Sequence, residues 1–188
     1  VTIKGKEVED VKDFTYLGSN VTADGDCEVE IQARLAKARH AFASLRPIWK
    51  SKQYSMNTKL CLFKSNVLSV LLYGSEAWKI TRAISHCIDV FQNRCLRRLF
   101  NIYWPNKISN EDLLQKAYLP PLTQEIKRRR WRWLGHVLRM TPEAIPRVAL
   151  QWTPDGKRPR GRPKETWRRT IDREREEHGC TWGHPKRM

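Results

Sequence analysis

The sequence contains no C-x-x-C pair, and its five cysteines (Cys27, Cys61, Cys87, Cys95 and Cys180) are an odd number. That usage excludes a regular disulfide framework and fits reduced thiols of an intracellular protein, nuclear or cytoplasmic rather than secreted. No apolar run approaches the roughly 18 residues of a membrane span. No charged n-region followed by an apolar h-region opens the chain either, so neither membrane insertion nor export is expected. Acidic residues are scarce, 20 Asp and Glu against 36 Lys and Arg, a formal net charge of +16 with a pI near 10. Such an excess goes beyond what solubility requires and points to a polyanionic partner. Missing, too, are the constellations of catalysis. His136 has no nucleophile or paired carboxylate at useful spacing. His178, Cys180 and His184 lack the four-ligand spacing of a structural zinc. No catalytic residue, metal site or cofactor is expected in these 188 residues.

What is present falls into three stretches. Residues 1–26 hold 3 basic and 6 acidic groups, residues 27–126 hold 15 and 7, and residues 127–188 hold 18 and 7. Positive charge therefore accumulates toward the C-terminus. Val1-Thr2-Ile3 to Val8 and Phe14-Thr15-Tyr16-Leu17-Gly18 with Val21 read as two or three short strands, turning at Gly5 and at Asp24-Gly25. So few strands cannot bury a core alone, and they are expected to complete a larger sheet. With no initiator Met before Val1, the chain reads as a fragment of a longer polypeptide.

From Asp26 the period changes. Ile31, Leu35, Ala38, Phe42 and Leu45 mark an amphipathic helix with Glu28 and Glu30 in its first turn, expected to end at Pro47. A second helix runs from a Ser55 cap through Leu60, Phe63, Val67 and Leu71 to Gly74. A third, from Thr81, stacks Ile84, Ile88, Phe91, Cys95 and Leu99 and leaves Arg94, Arg97 and Arg98 to solvent or a ligand. A fourth opens at Ser109-Asn110-Glu111-Asp112 with a sequence close to a capping box. After Pro120-Pro121, Thr123 can cap a fifth that carries Ile126, Trp133, Leu134 and Val137. The expected fold is mainly α: a β remnant over 1–25, a helical bundle over 26–140, and a basic, partly extended tail over 141–188 that ends in a charged helix anchored by Trp167 and Ile171.

Two basic motifs stand out. Lys127-Arg128-Arg129-Arg130-Trp131-Arg132-Trp133 alternates cations with indoles, so on a helix the phosphate-seeking groups and the apolar anchors occupy different faces. The plain alternative is a solvated basic face above a core Trp133. Residues 153–164 contain three Pro, two Gly and five cations in twelve residues, a composition that cannot build a core. Within them, Arg158-Pro159-Arg160-Gly161-Arg162-Pro163-Lys164 has the AT-hook pattern: proline keeps the chain extended, Gly161 permits close approach, and Arg160 and Arg162 can enter a narrow minor groove. A phosphate-binding arm without sequence preference and a simple spacer remain open as readings.

Several blocks resemble the region after the polymerase core in LINE-like, non-long-terminal-repeat retrotransposon endonuclease-reverse transcriptases. Phe14-Thr15-Tyr16-Leu17-Gly18-Ser19 is similar to the family's F-x-Y-L-G segment near the primer grip. Leu71-Leu72-Tyr73-Gly74-Ser75-Glu76-Ala77-Trp78 is similar to its L-L-Y-G-S-E-T-W helix end, with Ala77 for Thr. Cys95 to Leu99, Arg130 to Met140 and Arg160 to Trp167 follow in the family's order. The resemblance implies a parent that polymerises DNA on RNA with metal-bound aspartates and Mg2+. It implies that Phe14, Tyr16, Leu17 and Gly18 lie near a primer grip and that the helices form a thumb beside an upstream palm. Neither a Y-x-D-D motif nor an endonuclease motif lies within 1–188, so the fragment itself is expected to be non-catalytic. The resemblance assigns no role to the segment from residue 120 onward; the two basic motifs supply one, holding RNA, RNA–DNA hybrid or target DNA through Lys127, Arg128, Arg129, Arg130, Arg132, Arg158, Arg160, Gly161, Arg162 and Lys164. A host-domesticated AT-hook-like chromatin protein and a functionless element relic are the alternatives.

Overall fold

The computed structural model describes residues 2–3, 6–7, 11, 13–16, 18–22, 27–152 and 166–177. As expected, the chain is mainly helical with short antiparallel strands at its start. It divides into two compact units, one of residues 1–74 with 93–109 and the other of residues 75–92 with 110–188. The helices expected to share one bundle are thus distributed between two units.

In the first unit, β1 (Thr2–Ile3) pairs with β2 (Lys6–Glu7), and β3 (Asp13–Tyr16) pairs with β4 (Ser19–Thr22) in the register Phe14↔Val21 and Tyr16↔Ser19. The reversal between β3 and β4 falls at Gly18, whose φ of 78° suits a residue without a Cβ. The turn expected at Asp24-Gly25 lies outside the described residues, as does Gly5. Helix α1 (Glu28–Ser44) buries Ile31, Leu35, Ala38 and Phe42 at helical spacing. Pro47 does not simply stop it. Leu45 ends α1, and Pro47 sits in the first turn of α2 (Arg46–Lys50), where its missing N–H costs nothing. Trp49 of α2 folds back, its Nε1–H donating to the Phe42 carbonyl at 2.8 Å and its ring stacking on Phe42 at 5.3 Å.

Ser55 caps α3 (Met56–Leu62) by accepting from the Thr58 N–H at 3.1 Å. The helix continues through a π segment, Phe63–Leu68, into α4 (Ser69–Leu71), and the wider turn puts Phe63, Val67 and Leu68 all in the core against α1. The helix ends at Leu71 with Leu72 as its cap, and Gly74, with φ of 69°, lies in the turn that follows.

Helix α5 (Arg82–Leu99) belongs to the second unit as far as Gln92 and to the first from Asn93. In the second unit, α6 (Asn110–Ala117) buries Leu113 and Ala117, and α7 (Leu122–Leu138) buries Leu122, Ile126, Leu134 and Val137. The start of α7 is capped by another helix rather than by Thr123. Gln92 Oε1 accepts from the Leu122 N–H at 3.0 Å and Asp89 Oδ1 from the Thr123 N–H at 3.3 Å, satisfying donors left orphaned after Pro120-Pro121. Helix α8 (Ile145–Gln151) follows, with Pro146 in its first turn. The terminal helix α9 (Trp167–Glu177) docks, with Ile171 and Thr170 buried and Trp167 Nε1–H donating to the Glu76 carbonyl at 2.8 Å. Among the described residues no helix is long and apolar enough to cross a membrane.

Candidate nucleic-acid interface

On α7 the basic motif separates by face. Arg128, Arg132, His136 and Arg139 are exposed at intervals of four, four and three, a single solvent stripe along the helix. Arg128 is steadied by Glu125 at 2.7 Å while its side chain stays 63% exposed. Arg132 has no hydrogen bond or ion pair among the described residues. Arg129 pairs with Glu125 at 3.2 Å, and Lys127 is half-buried and engaged.

Arg130 departs from the expectation of a phosphate contact. Only 1% of it is exposed, Nη1 donates to Glu174 Oε1 at 2.6 Å, and Nη2 donates to the Trp78 carbonyl at 3.1 Å. Ile126, Arg130, Leu134 and Val137 follow the core spacing, so residue 130 is carried inward with the apolar stripe. Trp131 Nε1–H donates to the other oxygen of Glu174 at 2.9 Å, and Trp133 meets Trp167 edge-on at 5.6 Å. Both indoles of the motif are held within this unit. Arg158, Arg160, Gly161, Arg162 and Lys164, and with them the AT-hook pattern, lie outside the described residues.

The first unit also presents exposed cations, outside the two basic motifs. Residues 31–74 and 93–109 contain twelve Lys and Arg and not one Asp or Glu. Arg34 and Lys59 of these are buried and used internally, and Arg97 is half-buried. The remaining nine, including Lys37, Arg39, Lys64, Arg94, Arg98 and Lys107, are exposed. Arg39 of α1 joins Arg94 and Arg98 of α5 around the buried Cys95. Burial pushes that thiol up to about 12, while Arg98, Arg94 and Arg39 pull the other way. Like charges gathered without carboxylates repel one another, and an anion relieves that repulsion. The signal was legible as a gap in acidic residues rather than as a basic run.

The motif block at residues 14–19 and the first part of the second, residues 71–74, are joined within this unit through α1. Arg34 Nε pairs with Glu30 at 2.7 Å, its Nη2 donates to the Gly18 carbonyl at 2.9 Å and to Ser19 Oγ at 3.0 Å, and its guanidinium lies 4.5 Å from the centre of the Tyr73 ring. Glu30 in turn accepts from the Asn20 N–H at 2.7 Å. Burial pushes the Glu30 carboxyl up, but the Asn20 N–H, the Arg34 guanidinium and Ser19 together outweigh it and hold the carboxyl below its ordinary range. Gly18 therefore serves the docking of the hairpin. Phe14 and Tyr16 stack at 6.4 Å on the open face, exposed together with Val21. Leu17 lies outside the described residues. No group of three or more His, Cys, Asp or Glu among the described residues could hold a metal ion.

Comparison with known proteins adds two likenesses. The family described as domain of unknown function (DUF6451) matches residues 41–73, the stretch from the end of α1 to Tyr73. An uncharacterized transposon-derived protein of Caenorhabditis elegans is 28% identical over 176 residues, which cover 89% of this chain and 62% of that protein. The chain thus spans about three-fifths of that relative's length. No solved structure matches. The likeness over nearly the whole chain supports a transposon-related origin.

Proposed function

We propose that the chain is a non-catalytic, nucleic-acid-binding C-terminal part of a retrotransposon RNA-directed DNA polymerase, holding template-primer or target DNA beside an active site that belongs to an upstream palm. The observation that carries this reading is the set of exposed cations on residues 31–74 and 93–109, which contain no carboxylate, with Arg39, Arg94 and Arg98 gathered around Cys95. Arg128, Arg132 and Arg139 supply a second basic stripe, on α7. Exposed cations of this kind suit a phosphate backbone, which sets position and affinity rather than sequence. The transposon-derived relative and the collinear reverse-transcriptase-like blocks favour this class of nucleic-acid binder over others. The exposed Phe14, Tyr16 and Val21 fit a hairpin whose open face is covered by a larger sheet, as an upstream palm would provide. In the parent the polymerase chemistry would use Mg2+, held by residues outside this chain.

The reading is tested by fluorescence anisotropy with a labelled RNA–DNA hybrid at low salt. The chain is expected to bind it, and replacing Arg39, Arg94 and Arg98 by Ala is expected to weaken binding while leaving the helical circular dichroism unchanged. Absence of binding, or binding indifferent to the triple substitution and to Ala at Arg128, Arg132 and Arg139, refutes it.

A further inference from the structure

The loop that follows α5 in the first unit holds two aromatic rings out to solvent. Trp104 is 85% exposed and Tyr103 59%. The loop has a defined conformation: the Ile102 N–H bonds the Arg97 carbonyl at 2.9 Å, the Asn106 N–H bonds the Tyr103 carbonyl at 2.9 Å, and Arg97 Nη2 donates to the Ile108 carbonyl at 3.2 Å. An ordered backbone that projects a Trp and a Tyr away from the core presents apolar surface at a hydration cost, which a partner covering the rings would remove. The surroundings specify the partner's charge. Residues 93–109 contain Arg94, Arg97, Arg98 and Lys107 and no carboxylate, and Arg94, Arg98 and Lys107 are exposed.

We propose that the Tyr103-Trp104 turn is a stacking platform for unpaired bases of a single-stranded nucleic-acid segment, with Arg94, Arg98 and Lys107 contacting its phosphates. An exposed ring offers a face that every base can stack on, and adjacent cations track the backbone, the combination by which proteins hold single strands without reading sequence. A duplex, whose bases are already stacked on one another, gains only the phosphate interactions. This inference rests on the reading of the chain as a nucleic-acid binder and adds to it a strand state and the residues that sense it.

The full chain is titrated with a mixed-sequence single-stranded oligonucleotide containing 2-aminopurine and with the corresponding duplex. Stacking on the turn quenches the 2-aminopurine emission. Trp104→Ala is expected to lose roughly 5- to 150-fold in single-strand affinity and to lose the quenching, with duplex affinity within about twofold. Trp104→Phe, which keeps a ring, is expected to recover most of both. Arg94→Ala with Arg98→Ala is expected to flatten the salt dependence of single-strand binding by roughly 1.4 on a log-log plot, about 0.7 for each phosphate no longer neutralised. Salt-dependent binding by the unmodified chain that Trp104→Ala leaves unchanged overturns the platform while leaving the general reading intact. Equal losses on single strand and duplex, or partition of the unmodified chain but not of Trp104→Ala onto phosphatidylcholine vesicles, also overturn it. No binding of any nucleic acid by the unmodified chain overturns both.

Discussion

Removing Glu174 alone should destabilise the second unit far more than a surface carboxylate would. Its two oxygens receive Arg130 Nη1 at 2.6 Å and Trp131 Nε1 at 2.9 Å, and the Arg130 side chain is only 1% exposed. In Glu174→Ala a guanidinium stays buried with the Trp78 carbonyl as its remaining described acceptor, and Trp131 loses its acceptor as well. Breaking one side of a buried ion pair costs about 3–5 kcal/mol. In a chain of this length that corresponds to a fall in melting temperature on the order of 10 °C. Removing both charges is different in kind, because no buried charge is left behind. Arg130→Met with Glu174→Leu should recover most of the loss, and the recovery appears as a large coupling energy in a double-mutant cycle. Urea denaturation followed by circular dichroism of the unmodified chain, Arg130→Met, Glu174→Leu and the double variant measures it. If Glu174→Ala loses less than about 1 kcal/mol, or if the double variant is as unstable as the sum of the single ones, Arg130 is not an internal strut. The same cycle separates architecture from binding, since Arg130→Met with Glu174→Leu should leave hybrid affinity close to that of the unmodified chain.

Three further outcomes follow from named groups. Glu30 has its carboxyl held below the usual value of 4.5, so its contribution to stability is complete above that pH and disappears as pH falls through the lower folded value. Glu30→Gln should therefore flatten the acid limb of a stability-versus-pH curve below about 4.5, and an unchanged limb would count against the Glu30–Arg34 hairpin clamp. Iodoacetamide at neutral pH should label the exposed Cys61 and Cys87 while the buried Cys95, whose thiol burial pushes up to about 12, stays unmodified until the chain unfolds. Peptide mass mapping reads this directly, and prompt labelling of Cys95 would contradict its burial. Finally, Arg160→Ala with Arg162→Ala should abolish any preference for A·T-rich duplex over G·C-rich duplex. Preference that survives the double substitution would remove the minor-groove reading of that arm.

Helices with a regular apolar stripe were legible in the sequence because each stripe repeats at helical spacing: Ile31 to Phe42 in α1, Ile84 to Leu99 in α5, and Ile126 to Val137 in α7. The Ser55 cap was legible because a cap is a local bond. What escaped was set by partners distant in the chain. The start of α7 is satisfied by Asp89 and Gln92 rather than by Thr123. Pro47 begins a helix instead of only closing one. Helix α8 carries too little apolar periodicity to announce itself over seven residues. Arg130 is the instructive case, since its position on the apolar stripe was visible but its compensating carboxylate lies 44 residues further on. For the candidate interface, the basic runs at residues 127–133 and 158–164 are legible locally, while the lack of any carboxylate over 31–74 and 93–109 shows only over a longer span.

The central claim, that exposed cations of this chain neutralise phosphates, is tested most directly by the salt dependence of its affinity for an RNA–DNA hybrid. Association constants measured between about 50 and 300 mM monovalent salt should fall linearly on a log-log plot, with a slope of about −0.9 for each phosphate neutralised. The Arg39, Arg94 and Arg98 cluster by itself predicts a slope of about −2.7, flattened when the three are replaced by Ala. A slope near zero, or no measurable association at the lowest salt, would contradict the account.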